Sequence, residues 1–262
     1  MEPQGVPRGV DGAMQCVGAK SGGVRTGGGA DERSGGEESE PQPGPPPAAR
    51  EIFGDRLSKA ERYVALLKGP GLERGLIGPR EASRVWERHI LNCAVVAELV
   101  PSPCTLADIG SGAGLPGIVL AIALPGVSVT LVEPLLRRSV FLEECVVELG
   151  LKNAVVCRAR AEELKGVLSA DVVTARAVAP MRQLAVWAAG VVRPGGTILA
   201  LKGDRAGGEL REAKATLRKL GLQSPEIVTV GSGRVEPETL VVRIVAGQHG
   251  TRAVPVDPSR SG

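Results

Sequence analysis

The chain is poor in aromatic residues: Phe53, Tyr63, Trp86, Phe141 and Trp187 are all it has in 262 positions. An extended stacking platform for single-stranded nucleic acid is therefore excluded, and any nucleic acid would be held mainly by charge and shape. Histidine is scarcer still, with His89 and His249 alone. No apolar run approaches the ~18 residues of a membrane span, and no apolar leader follows Met1. The five cysteines are scattered and odd in number, without a C-x-x-C pair. Together these absences argue against secreted and membrane classes and for a reduced, cytoplasmic compartment.

Glycine and proline are unevenly spread, with 12 of the 36 Gly and 7 of the 20 Pro in the first fifty residues. That stretch shows no apolar periodicity and cannot bury enough surface to offset the entropy of ordering, so 1–50 is expected to be a disordered tail. The tail carries a net −2, which conceals a +5 body within the overall +3. A basic body suits a polyanionic partner without requiring one.

From Phe53 the pattern becomes helical: Phe53, Leu57, Ala60, Val64 and Leu67 recur on one face, and Gly69-Pro70-Gly71 is expected to stop the run. A second helix is expected from Pro79 to Leu99. Residues 51–104 thus form a helical extension before the main domain, 105–246, with a flexible tail at 247–262. Within 105–246 short β-rich runs alternate with helical ones: Thr105–Ile109, Ser128–Val132, Val155–Cys157, Asp171–Thr174 and Thr197–Leu201 are separated by helices near 115–124, 135–149, 161–168, 180–190 and 207–220. This alternation predicts an α/β fold with a parallel sheet and right-handed crossovers. Glu226–Val230 and Leu240–Val245 have no room for a crossover helix between them, so the sheet of seven strands should end in an antiparallel hairpin.

Asp108-Ile109-Gly110-Ser111-Gly112-Ala113-Gly114-Leu115-Pro116-Gly117 lies where the first of these strands turns into its helix. Glycines there let the backbone approach a ligand, and the helix start offers free N–H groups. Gly112, Gly114 and Gly117 satisfy G-x-G-x-x-G, and Glu133 follows Gly112 by 21 residues, so an NAD-dependent oxidoreductase is one reading. Asp108 weighs against it, because a carboxylate beside the loop repels a pyrophosphate but suits the cationic sulfonium of S-adenosylmethionine. Neither histidine lies within the alternating series to handle the proton of a hydride transfer. Glu133 would grip ribose hydroxyls with either cofactor.

Trp86-Glu87-Arg88-His89-Ile90-Leu91-Asn92, the glycine loop, Arg160-Ala161-Glu162-Glu163, Arg176-Ala177 and Leu201-Lys202-Gly203 occur in this order. Over roughly residues 53 to 246 the chain is similar to the bacterial ribosomal small-subunit methyltransferase G family, also called glucose-inhibited division protein B. The resemblance implies a class I, Rossmann-like methyltransferase fold and N7-methylation of the guanine at position 527 of 16S rRNA with S-adenosylmethionine. It also implies that Gly110, Leu115, Ala161, Glu162 and Arg176 bind the cofactor, beside Asp108, Gly112, Gly114 and Glu133. Asn92 stands where many relatives carry Asp.

Glu162 opens the helix after the third strand, where it would meet the adenine edge or merely favour the helix macrodipole. Arg176 ends the fourth strand at the edge where open α/β sheets bind ligands, and is the positioning candidate for the reaction. Arg137, Arg138, Arg182, Lys202 and Arg205 are candidates for a basic rim that touches the phosphates of 16S rRNA or the 30S subunit. Arg84 and Arg88, one turn apart on the helix before the fold, touch RNA or stay solvated. His89 and Cys93 share a helix face, yet with no second pair they read as a packing histidine and a buried thiol rather than metal ligands. No residue is expected to act by side-chain chemistry, because guanine N7 has an available lone pair and needs no base; alignment alone is worth ~7–11 kcal/mol. A methyltransferase for a small molecule or protein, and a non-catalytic RNA-binding module, are the other readings.

Overall fold

A computed structural model describes residues 16–17 and 44–248. Its frame is one mixed sheet in the order β1-β4-β3-β2-β5-β6-β8-β7. Here β1 is Cys16–Val17, β2 Cys104–Ile109, β3 Val127–Val132, β4 Ala154–Cys157, β5 Ala170–Arg176, β6 Val192–Lys202, β7 Leu222–Val230 and β8 Thr239–Ala246. Strands β4, β3, β2, β5 and β6 run parallel, while β8 is antiparallel to both β6 and β7. The seven long strands and the terminal hairpin are those the alternation predicts. An eighth, two-residue strand corrects the expectation for the tail, since Cys16–Val17 pairs antiparallel with β4. The remainder of 1–43, and 249–262, lie outside the described residues.

The helices begin earlier than the expected boundary at residue 51. Helix α1 spans Pro47–Phe53 with Pro47 in its first turn, where the missing N–H is not needed and the fixed φ suits a helix. Ala49 is fully buried, so the sequence up to residue 50 is not all tail. Helix α2 (Leu57–Leu66) does not stop at Gly69-Pro70-Gly71: a wide, π-helical turn over Leu67–Gly71 takes in Pro70. The second predicted helix is segmented into α3 (Pro79–Ala82), a π-helical turn Trp86–Leu91, α4 (Asn92–Ala94) and a 3₁₀ stretch Val95–Leu99. Then come α5 (Gly117–Ala123), α6 (Leu136–Glu148), α7 (Met181–Ala189) and α8 (Ala206–Lys219). The helix expected at 161–168 is only a 3₁₀ turn, Ala161–Leu164, with Gly166 at φ +76° soon after it.

Helices lie on both faces of the sheet, each over its own apolar core. One core joins Tyr63, Leu67 and Ile90 of the helical extension to Ile118 of α5 and Phe141 of α6. The other packs Leu184 and Ala188 of α7 and Leu217 of α8 against Val173, Ile198 and Ile244 of the sheet. The extension therefore shares a core with the sheet. The crossovers diverge between β2 and β5, and such a divergence leaves a crevice at the carboxyl ends of the strands. The register brings Ile109, Val132 and Cys157, the last residues of β2, β3 and β4, into line.

Candidate active site

The residue after each of these three strands, together with the last residue of β5, lines one cavity of about 730 Å³: Gly110, Glu133, Arg158 and Arg176. Its volume is in the range of sites for drug-sized ligands and cofactors. The glycine loop forms one wall. Gly110, Gly112 and Gly114 all have positive φ (+68°, +58° and +99°), which a side chain would strain. Their surroundings differ. A Cβ at Gly110 would collide with Val178, and one at Gly114 with Ile118 and the Tyr63 hydroxyl, whereas one at Gly112 would find nothing nearer than 3.8 Å. Gly112 thus faces open space, where a ligand can press on the backbone.

Glu133 fastens this loop. It is almost fully buried, and its oxygens accept hydrogen bonds from Gly112 N and Leu135 N, both at 3.0 Å. Each oxygen keeps a further lone pair for a ligand hydroxyl. Tyr63, from the helical extension, reaches the loop from behind and donates to the Ala113 carbonyl at 2.6 Å. Leu115, Leu135 and Ala159 add apolar lining. A cradle of open backbone, a hydroxyl-accepting carboxylate and an apolar wall fit an adenosine-containing cofactor.

Asp108 does not face this cavity, which corrects its expected place beside a cationic ligand. Its carboxylate is fully buried and accepts from Gly117 N at 3.1 Å and the Thr174 hydroxyl at 2.9 Å, tying β2 to β5 and to the start of α5. A buried carboxylate needs such donors, and the backbone supplies them. Burial still raises its pKa to about 6. Ala161 and Glu162 also lie off the cavity wall; Ala161 is buried, Glu162 is exposed, and the lining residues are their neighbours Arg160 and Glu163. The Glu163 carboxylate closes the turn by accepting from Arg160 N at 3.0 Å.

Arg176 lines the cavity as expected, held from a side the sequence did not disclose. Its Nη2 donates to the Arg88 carbonyl at 3.0 Å and lies 2.7 Å from His89 Nδ1, and its Nη1 is 3.2 Å from Cys93 Sγ. His89 and Cys93 share a face, as their spacing predicts, and that face receives an arginine. Among the described residues no group of three or more His, Cys, Asp or Glu is placed to hold a metal ion. The next residue, Ala177, has φ +51°, which turns the chain sharply and lets Val178 pack on Gly110.

The expected basic rim divides. Arg138 lines the cavity mouth 3.9 Å from Glu133, and Arg137 is exposed beside it. Arg182 and Arg205 are exposed. Lys202 is not available to a phosphate: only 8% of its side chain is exposed, and Nζ donates to the Ala179 carbonyl at 2.7 Å and pairs with Glu209 at 2.9 Å. The same Glu209 oxygen accepts from Met181 N, so Lys202 clamps the loop after β5 to α7 and α8. Arg158 and Arg160, which sequence reasoning did not single out for RNA, stand exposed at the mouth; their place directly after β4 was the available signal.

Residues 56–237 match the family described as rRNA small subunit methyltransferase G. The ribosomal RNA small subunit methyltransferase G of Thermobifida fusca is 55% identical over 214 residues, covering 80% of this chain and 90% of the relative. The protein of the same name from Streptomyces coelicolor is 54% identical over 204 residues, covering 78% and 85%. A solved S-adenosylmethionine-dependent O-methyltransferase of Thermotoga maritima is 14% identical, covering 70% of this chain and 71% of its own, with a TM-score of 0.46. With its family model matched over 56–237 and identity above one half along most of its length, the chain belongs to the rRNA small subunit methyltransferase G family, S-adenosylmethionine-dependent methyltransferases of ribosomal RNA.

Proposed function

We propose that this protein methylates N7 of the guanine at position 527 of 16S rRNA, in free rRNA or the 30S subunit, in the cytoplasm. What carries the reading is the convergence of Gly112, Glu133 and Arg176 on one cavity at the strand ends. S-adenosylmethionine, when bound, supplies an electrophilic methyl group. Glu133 accepts from ribose hydroxyls, Gly112 lets the backbone close on the ligand while Gly110 and Gly114 let the loop pack closely on Val178, Ile118 and Tyr63, and Leu115 and Leu135 exclude water. Ala161 and Glu162 support the wall through the turn they begin. Arg176 orients the groups brought together at the β5 end.

The choice of N7 follows from proton accounting. A ribose hydroxyl must lose a proton on methylation, whereas N7 attacks with a free lone pair. The carboxylates and the imidazole lining the cavity already accept bonds from the protein: Glu81 from Gly78 N, Glu133 from Gly112 N, Glu163 from Arg160 N, and His89 Nδ1 from Arg176. Such a site aligns its reactants instead of moving protons. Exposed Arg137, Arg158 and Arg160 and half-buried Arg138 meet phosphates around the mouth, and exposed Arg182 and Arg205 meet them beyond it. The test is methyl transfer to 30S subunits lacking the modification, followed by mapping of the methylated nucleotide. A single 7-methylguanine at position 527 is expected; methylation of another atom or nucleotide, or none, would reject the reading.

A further inference from the structure

Arg176 is gripped by a turn of helix 83 to 88 residues earlier in the chain. Within the widened turn Trp86–Leu91 the Arg88 carbonyl and His89 Nδ1 both face its Nη2, and Cys93 Sγ one turn on faces Nη1. A guanidinium offers only N–H donors. His89 Nδ1 must therefore present its lone pair, which places the proton of the neutral ring on Nε2. That nitrogen is buried and without a hydrogen-bond partner, and the nearest carboxylate, Glu81 Oε1, stays at 3.7 Å, beyond hydrogen-bond range. The charged groups facing the ring are Arg176 and Arg88, which oppose its protonation, and Glu81, which favours it. Burial and Arg176 prevail and lower its pKa to about 4, so the ring remains a neutral acceptor at physiological pH.

We propose that His89 is a positioning residue: its Nδ1 fixes the Arg176 guanidinium, so that the helical extension sets the geometry at the methyl-transfer end of the cavity. The inference rests on reading that cavity as the site of methyl transfer. It makes a demand that packing alone does not, because the place of the acceptor atom matters more than the volume of the side chain. An Asn amide oxygen falls near the position of Nδ1, whereas the longer Gln places its oxygen near that of Nε2. Packing would rank Gln above Asn; positioning of Arg176 ranks Asn above Gln.

The experiment compares His89→Asn, His89→Gln and His89→Ala in single-turnover methyl transfer to 30S subunits, with S-adenosylmethionine affinity by calorimetry and thermal unfolding measured alongside. His89→Asn is expected within about threefold of the wild-type rate, and His89→Gln and His89→Ala about tenfold or more below it, the loss of a charge-assisted hydrogen bond being of that size. Nitrogen-15 spectra of the wild-type imidazole should show Nε2 protonated and the bare Nδ1 shifted by its hydrogen bond from Arg176, a shift lost in Arg176→Ala. Rates for His89→Gln equal to or above those of His89→Asn would overturn the proposal, as would a protonated Nδ1 in the wild type. If the wild type transferred no methyl group to subunits, the proposed function would fail instead, and the imidazole spectrum would still decide whether His89 holds Arg176.

Discussion

On the β2–β3 side of the cavity, the glycine loop is fastened within the sheet, by Glu133 at the end of the neighbouring strand and by the Val132 carbonyl, which accepts from Gly110 N and Ser111 N. On the β5 side, Arg176 is fastened by Arg88, His89 and Cys93, residues of the helical extension. One side of the site is thus fastened mainly within the βαβ unit, the extension adding the Tyr63 bond to the Ala113 carbonyl, while the other exists only once the extension has docked through the core that contains Ile90 and Phe141. The extension is for that reason part of the site, and disturbances on the two sides should have different signatures: loss of cofactor affinity on the first, loss of rate on the second.

Arg176→Ala gives the sharpest break. It should lower single-turnover methyl transfer by about 100-fold, the worth of a well-placed charged hydrogen bond, while RNA affinity falls far less. A wild-type rate with only the salt dependence of RNA binding changed would make Arg176 another phosphate contact. On the other side, Gly112→Ala should weaken S-adenosylmethionine binding by about tenfold or more, with a thermal penalty near the ~1 kcal/mol of a side chain at positive φ. Gly114→Ala should reverse the pattern and chiefly destabilise the fold, because its Cβ meets Ile118 and Tyr63. Equal calorimetric losses in both variants would remove the distinction between a glycine that faces the ligand and one that faces the core.

Lys202 and Arg138 separate clamp from rim. Lys202→Ala leaves Glu209 without its cation and should cost about 2–4 kcal/mol in denaturant unfolding. Arg138→Ala should leave stability unchanged and reduce the salt slope of RNA binding by about one unit or less. A salt-slope effect for Lys202→Ala in a fully stable protein would restore it to the rim.

Asp108 affects neither side of the cavity directly and acts on the pH dependence of stability. Its folded pKa of about 6 lies above the ordinary value of 3.8, so the folded state holds the proton more tightly than the unfolded chain does. Stability should therefore fall by about 1–3 kcal/mol as pH rises from about 4 to 6, and Asp108→Asn should lack that slope. An unchanged slope in the variant would assign it to other groups.

What could be read from the sequence follows the same division. The glycine loop, Glu133 and the alternation of strands and helices are written in spacing, because strand, turn and helix are neighbours in the chain. The place of Arg176 at a strand end was also legible, but the three groups that hold it were not, since they lie more than eighty residues away and meet it only through packing. Asp108 misled for a related reason: its position beside the loop is evident, whereas the direction of its carboxylate depends on Thr174 of another strand. Lys202 looked like a free surface cation because nothing in its neighbourhood announced Glu209. At the helix termini, Pro47 and Pro70 show the limit of punctuation rules, for one begins a helix inside the expected tail and the other is absorbed in a widened turn.

That the site aligns its reactants without abstracting a proton is tested most directly by the pH dependence of the single-turnover rate on 30S subunits. The His89 ring stays neutral above pH 7 and guanine N7 attacks with its own lone pair, so the rate should be flat from about pH 7 to 9. A rate that climbs tenfold per pH unit across that range would reveal a base that must lose its proton, and would contradict the account.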